Sequence, residues 1–177
     1  MSETKKNTQS KTSKLPPVAD KHKVSLVELI MILLLIGLVF VFIFGMKQLR
    51  VDKEAEALAH LKFDRVIPVL QTAVAAAEEY RRMDDFGEYP FDFGQLNIVS
   101  TDTYSVEANE SGEMYLDTED FTINYDVEDY TFVITSKEAF GKAGIEVIYT
   151  LSNRSYRVED PSPDRKPTIR DEWLPQN

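Results

Sequence analysis

Residues 24–46 read VSLVELIMILLLIGLVFVFIFGM, an apolar run that carries one acid, Glu28, near its start. As a helix such a run reaches roughly 35 Å at about 1.5 Å per residue, enough to cross the hydrocarbon core of a bilayer. A cleaved secretory signal has a shorter apolar core that ends at small residues. Here Gly45, Met46, Lys47 and Gln48 follow Phe44, so 24–46 reads as a transmembrane helix that is kept.

The flanks set its orientation. Residues 1–23 hold Lys5, Lys6, Lys11, Lys14, Lys21 and Lys23 against Glu3 and Asp20, a formal +4. Positive flanks stay cytoplasmic, so 1–23 is a basic cytoplasmic leader and the rest is expected outside. The −10 of the whole chain less this +4 leaves −14 from Val24 onward. An outer domain of that charge lacks the Lys and Arg clusters that hold nucleic acid. The chain has no cysteine, which excludes disulfides, thiol catalysis and thiolate metal sites.

Beyond the span, apolar residues recur at helical spacing: Leu58, Leu61 and Phe63, then Val66, Ile67, Leu70, Val74, Ala77 and Tyr80. Glu54, Lys62, Asp64, Arg65, Glu78 and Arg81 occupy the other face. No cap or turn separates this stretch from the span, which predicts one helix of about 60 residues. Gly45 and Pro68 are the two points where it can bend, and the alternative is that Pro68 opens a second, shorter helix. The stalk helix and its closing turn fill 47–90.

A β-sheet head is expected over 91–160. Phe121, Ile123 and Tyr125 alternate along one strand, and Tyr130, Phe132 and Ile134 along the next, with a turn at 127–129. Ile145–Leu151 and Tyr156–Val158 make two more strands of an antiparallel meander. Between 91 and 118 the pattern is weak, with short strands read at 103–106 and 114–116. Residues 161–177, rich in proline, form an irregular C-terminal tail pinned by Trp173. The fold class is α+β: a long N-terminal helix, half membrane-spanning and half amphipathic, packed on an antiparallel sheet.

The segment VSLVELIMILLLIGLV resembles the N-terminal signature of type IV pilins and of the pseudopilins of type II secretion systems. Mature chains of that family begin with an apolar run and carry glutamate fifth and often glycine fourteenth. Counted from Val24, Glu28 is fifth and Gly37 fourteenth. Gly87, Glu88, Tyr89 and Pro90 are similar to the Gly-x-Tyr-Pro turn that closes the family's long helix. The resemblance implies a structural subunit of a pilus or pseudopilus filament, held in the bacterial inner membrane before assembly.

Its implied partners are like or related subunits, prepilin peptidase, an inner-membrane assembly platform and the lipid bilayer. It also implies that Glu28 sets the register between subunits by meeting a neighbour's terminal amine, and that Gly37 and Gly45 serve helix packing. Lys23 and Val24 form the candidate processing junction. Lys23 stands where the peptidase takes glycine, and Val24 where the family prefers Phe or Met. The cysteine pair of many pilins and the C-terminal motif of the major pseudopilin are missing, which suits a minor or divergent member. The alternative function is an uncleaved single-pass protein with a periplasmic binding or sensing head.

Other chemistry is sparse. Asp117, Glu119, Asp120, Asp126, Glu128 and Asp129 are ligand types suited to calcium, but their spacing matches no calcium loop, and a solvated acidic rim is expected instead. His22 and His60 are the only histidines, and no phosphate-binding glycine loop occurs. No cofactor and no enzymatic activity are expected.

Overall fold

The computed structural model describes residues 25–176. Its first element is helix α1, Leu26–Met83, unbroken over 58 residues. The chain divides into two compact units between Ile43 and Phe44. The first contains the start of α1, whose large apolar side chains from Leu26 to Ile43 are all exposed.

In the second unit α1 becomes amphipathic. Ala59, Phe63, Val66, Val69, Leu70, Ala73 and Ala77 form its buried stripe, at three- and four-residue spacing. Pro68 lies within the helix without ending it. Proline removes the N–H that Asp64 C=O would accept, and because Asp64, Arg65 and Pro68 are all exposed, water can take its place. Thr72 Oγ1 donates to Pro68 O at 3.0 Å, occupying the next carbonyl on that wet face.

Arg81 and Arg82 close α1, where cations suit the negative end of the helix dipole. The turn that follows is tightly held. Asp84 Oδ2 accepts from the N–H groups of Phe86 and Glu88, both at 3.0 Å, and Gly87 takes φ +69°. Arg81 Nε donates to Gly87 O at 3.1 Å and its Nη1 to Tyr89 Oη at 2.9 Å. Tyr125 Oη donates to Pro90 O at 3.0 Å, tying the turn to the sheet.

Six strands follow: β1 Ser105–Ala108, β2 Met114–Asp117, β3 Phe121–Asp126, β4 Thr131–Ser136, β5 Glu146–Thr150 and β6 Ser155–Glu159. They form one antiparallel meander in sequence order. Registry places Val106, Leu116, Ile123, Ile134, Val147 and Val158 in a single row across all six strands. A parallel row on the same face holds Tyr125, Phe132, Tyr149 and Tyr156. Its ring centroids stand 5.0 Å apart for Tyr125 and Phe132 and 4.7 Å for Tyr149 and Tyr156. These rows and the α1 stripe belong to one hydrophobic core, with Phe63 edge-on to Phe121 at 6.1 Å. Burial also pushes the Tyr149 and Tyr156 hydroxyls above their usual range.

The architecture is the expected α+β arrangement, with two differences in detail. The weakly patterned stretch supplies two full strands, β1 and β2, so the sheet has six strands rather than four with two uncertain ones. Tyr130 lies in the β3–β4 turn rather than in a strand, with φ +52°, and its ring rests 5.4 Å from that of Tyr89.

The C-terminal segment is irregular but anchored. Lys142, only 4% exposed, places its Nζ 2.5 Å and 2.7 Å from the two carboxylate oxygens of Asp160. The same ammonium donates to Ser162 O at 2.5 Å and Arg165 O at 3.0 Å. Farther along, Trp173 stacks on His60 of α1 at 4.7 Å.

Candidate functional site

Glu28, Gly37 and Gly45 all lie in α1, while Lys23 and Val24, like His22, fall outside the described residues. Glu28 is at the third position of the helix. Ser25 N–H donates to Glu28 Oε2 at 2.9 Å, and Leu29 N–H donates to Ser25 O at 3.0 Å. This is the carboxylate half of a capping box, in which an acid in the first turn satisfies the N–H of the capping residue. The Ser-x-x-Glu spacing at 25–28 is its signal in the sequence, one that attention to the acid alone passes over.

The cap gives Glu28 a second use beside the register role implied by the resemblance. An acid at a helix N-terminus is also favoured by the helix dipole. Its other carboxylate oxygen, Oε1, has no hydrogen bond within the described residues, so the side chain keeps an acceptor for a second group.

A Cβ added at Gly37 or Gly45 would meet nothing within 4 Å. Neither glycine is therefore required by contacts within the described chain, and α1 passes through both. The surrounding surface is apolar throughout: Leu33, Leu34, Ile36, Leu38 and Phe40 are each about half exposed or more. An apolar surface of that extent is covered by lipid or by other helices. Among the described residues α1 is the one helix long and apolar enough to cross a membrane, and the candidate window is entirely unburied.

Three of the six acids of the rim are committed to other partners. Asp117 pairs with Lys137 at 2.9 Å and Asp120 with Lys62 at 2.8 Å, while Asp126 Oδ1 accepts the N–H of Glu128 at 2.9 Å. Lys62 also donates to Ala139 O. Among the described residues no group of three or more His, Asp or Glu side chains is placed to hold a metal ion. His60 lies 3.6 Å from Asp64 and is occupied by its stack on Trp173.

Where the stalk meets the C-terminal segment, Glu56 receives Lys166 at 2.7 Å and Arg170 at 2.6 Å. Hydrogen bonds from Arg170 first and Lys166 second hold its carboxyl below the usual carboxylate range. The sequence offered no sign of this pairing, which joins residues more than a hundred positions apart.

No family model, no curated protein and no solved structure matches this chain.

Proposed function

We propose that the chain is a pilin-like structural subunit of a type IV pilus or type II secretion pseudopilus, assembling through the apolar half of α1. One observation carries the reading: a single helix begins with an exposed apolar run bearing an acid in its first turn and continues as the buried backbone of an antiparallel sheet head. In such a subunit the apolar run exchanges lipid for the helices of neighbouring subunits. A carboxylate in lipid costs about 2.5–3.5 kcal/mol at the bilayer centre and less toward its edge, where Glu28 lies, and finding a partner removes that cost, so Glu28 fixes register by favouring one. The free Oε1 supports that role, because the internal cap uses only the other oxygen.

A second reading has its own support. Lys23 stands at the processing junction, and Ser25 already supplies Glu28 with a local donor. Both suit an uncleaved single-pass protein whose acidic head binds a partner outside the cytoplasm.

N-terminal sequencing and intact mass of the protein from its native membrane separate the two. A mature chain starting at Val24 supports the filament subunit, and a chain retaining the lysine-rich leader supports the permanent anchor. Glu28→Ala tests the mechanism directly. A filament subunit so altered remains in the membrane but fails to enter filaments, whereas normal assembly would remove the register role.

A further inference from the structure

We propose that α1 carries, just beyond its apolar run, a basic collar that binds the phosphate of anionic phospholipid headgroups. The collar begins with Lys47, Arg50 and Lys53, all exposed. Spacing of three places them within an arc of about 120°, on the side away from the buried stripe of Ala59, Phe63, Val66 and Leu70. None of the three is ion-paired among the described residues. Of the neighbouring carboxylates, Asp52 accepts from Gln48 Nε2 at 2.8 Å and Glu56 is held by Lys166 and Arg170, while the exposed Glu54, one turn from Arg50, is the acid on the collar's own face.

The depth is suitable. The apolar run ends at Met46, and Lys47 to Lys53 spans about 9 Å of helix. The headgroup layer on one side of a bilayer is about 5–8 Å thick. The three cations thus lie at headgroup level when the apolar run fills the hydrocarbon. Long Lys and Arg stems reach polar groups while lying along apolar surface, and the exposed Leu49 and Val51 between them provide such surface.

Farther along, about 13 Å from Lys47, Lys166 and Arg170 are committed to Glu56, which leaves the collar as Lys47, Arg50 and Lys53. Over 47–54 the cations Lys47, Arg50 and Lys53 outnumber Asp52 and Glu54, in a chain that carries −14 from Val24 onward. Positive charge is therefore gathered at the base of an otherwise acidic part, where it meets lipid phosphate rather than being spread by chance over the surface.

The proposal needs only that the apolar run enters a bilayer, and does not depend on filament assembly. The full chain is reconstituted into vesicles of equimolar phosphatidylcholine and phosphatidylglycerol, gently extracted, and its retained lipids counted by native mass spectrometry. Phosphatidylglycerol is expected in excess over phosphatidylcholine by at least about fivefold, the enrichment expected of one or two cations near a charged surface. K47Q/R50Q/K53Q, with the leader lysines intact, should bring the ratio close to one. The leader variant K5Q/K6Q/K11Q/K14Q/K21Q/K23Q should keep most of the excess.

Unchanged retention by the collar variant, or loss confined to the leader variant, overturns the proposal. Displacement of the lipid by excess inorganic phosphate reassigns the site to free phosphate and overturns the lipid assignment. Failure of the wild-type chain to float with these vesicles overturns the membrane reading, and the collar with it. Because the three substituted residues are exposed, an unchanged melting temperature of the head confirms that the variant remains folded.

Discussion

The two halves of α1 share a helix and little else. From Leu26 to Ile43 the large apolar side chains are exposed, whereas from Ala59 to Ala77 seven residues are buried. The first half is apolar all round and the second is apolar on one stripe. That difference shows where each finds its solvent: the second half in its own sheet, the first in something outside the described residues.

Equivalent substitutions in the two halves give the widest separation. Phe63→Ala removes a fully buried ring and should cost the head about 3–5 kcal/mol, read by chemical denaturation. Phe40→Ala, at an exposed position, should leave the head's midpoint unchanged. Equal losses would mean that the apolar half packs against the head, and the contrast would fail. Conversely, Ile36→Asp should oppose membrane insertion by about 3–4 kcal/mol, read as the inserted fraction in a translocation assay. The head's unfolding midpoint should not respond.

Smaller effects sharpen the second half. Trp173→Ala removes the stack on His60 and the tilted contact with Phe63, at 6.3 Å, and should cost about 1 kcal/mol in a thermal melt. The smallest effect comes from Glu56. Its folded-state affinity for protons is lowered, so its contribution is complete above the ordinary carboxylate range and lost as pH falls through the depressed value. Wild type should therefore melt slightly higher than Glu56→Gln at neutral pH, and the difference should close on acidification below about pH 4. A constant difference across that range would show that the pair contributes through packing alone.

Much of this contrast was legible beforehand. The apolar run, its continuation into the amphipathic stalk and the alternation of β3 to β6 are local patterns, and each can be seen from a few neighbouring residues. β1 and β2 were harder because each has only four residues, among Gly, Asn and Asp that read as loop. The Ser25-x-x-Glu28 cap was written in the sequence, but an acid inside an apolar run draws attention to its depth rather than to its neighbour three residues back. The contacts of Glu56 with Lys166 and Arg170 and of Lys142 with Asp160 leave no local trace. They join segments 18 to 114 residues apart, and no periodicity links them. The role of Gly37 rests on a surface that the described residues leave uncovered.

The ammonium of Lys142 has a further consequence. One carboxylate and two backbone carbonyls surround it, a set of oxygens that elsewhere would suit a dissolved ion. An ion recruited from solution arrives and leaves with its concentration, so a loop folded around it loosens whenever the supply falls. Here the charge is covalently attached to the chain and cannot be washed out or chelated. The 160–165 loop is therefore held by a charge that no chelator removes and that needs no dissolved ion to supply it.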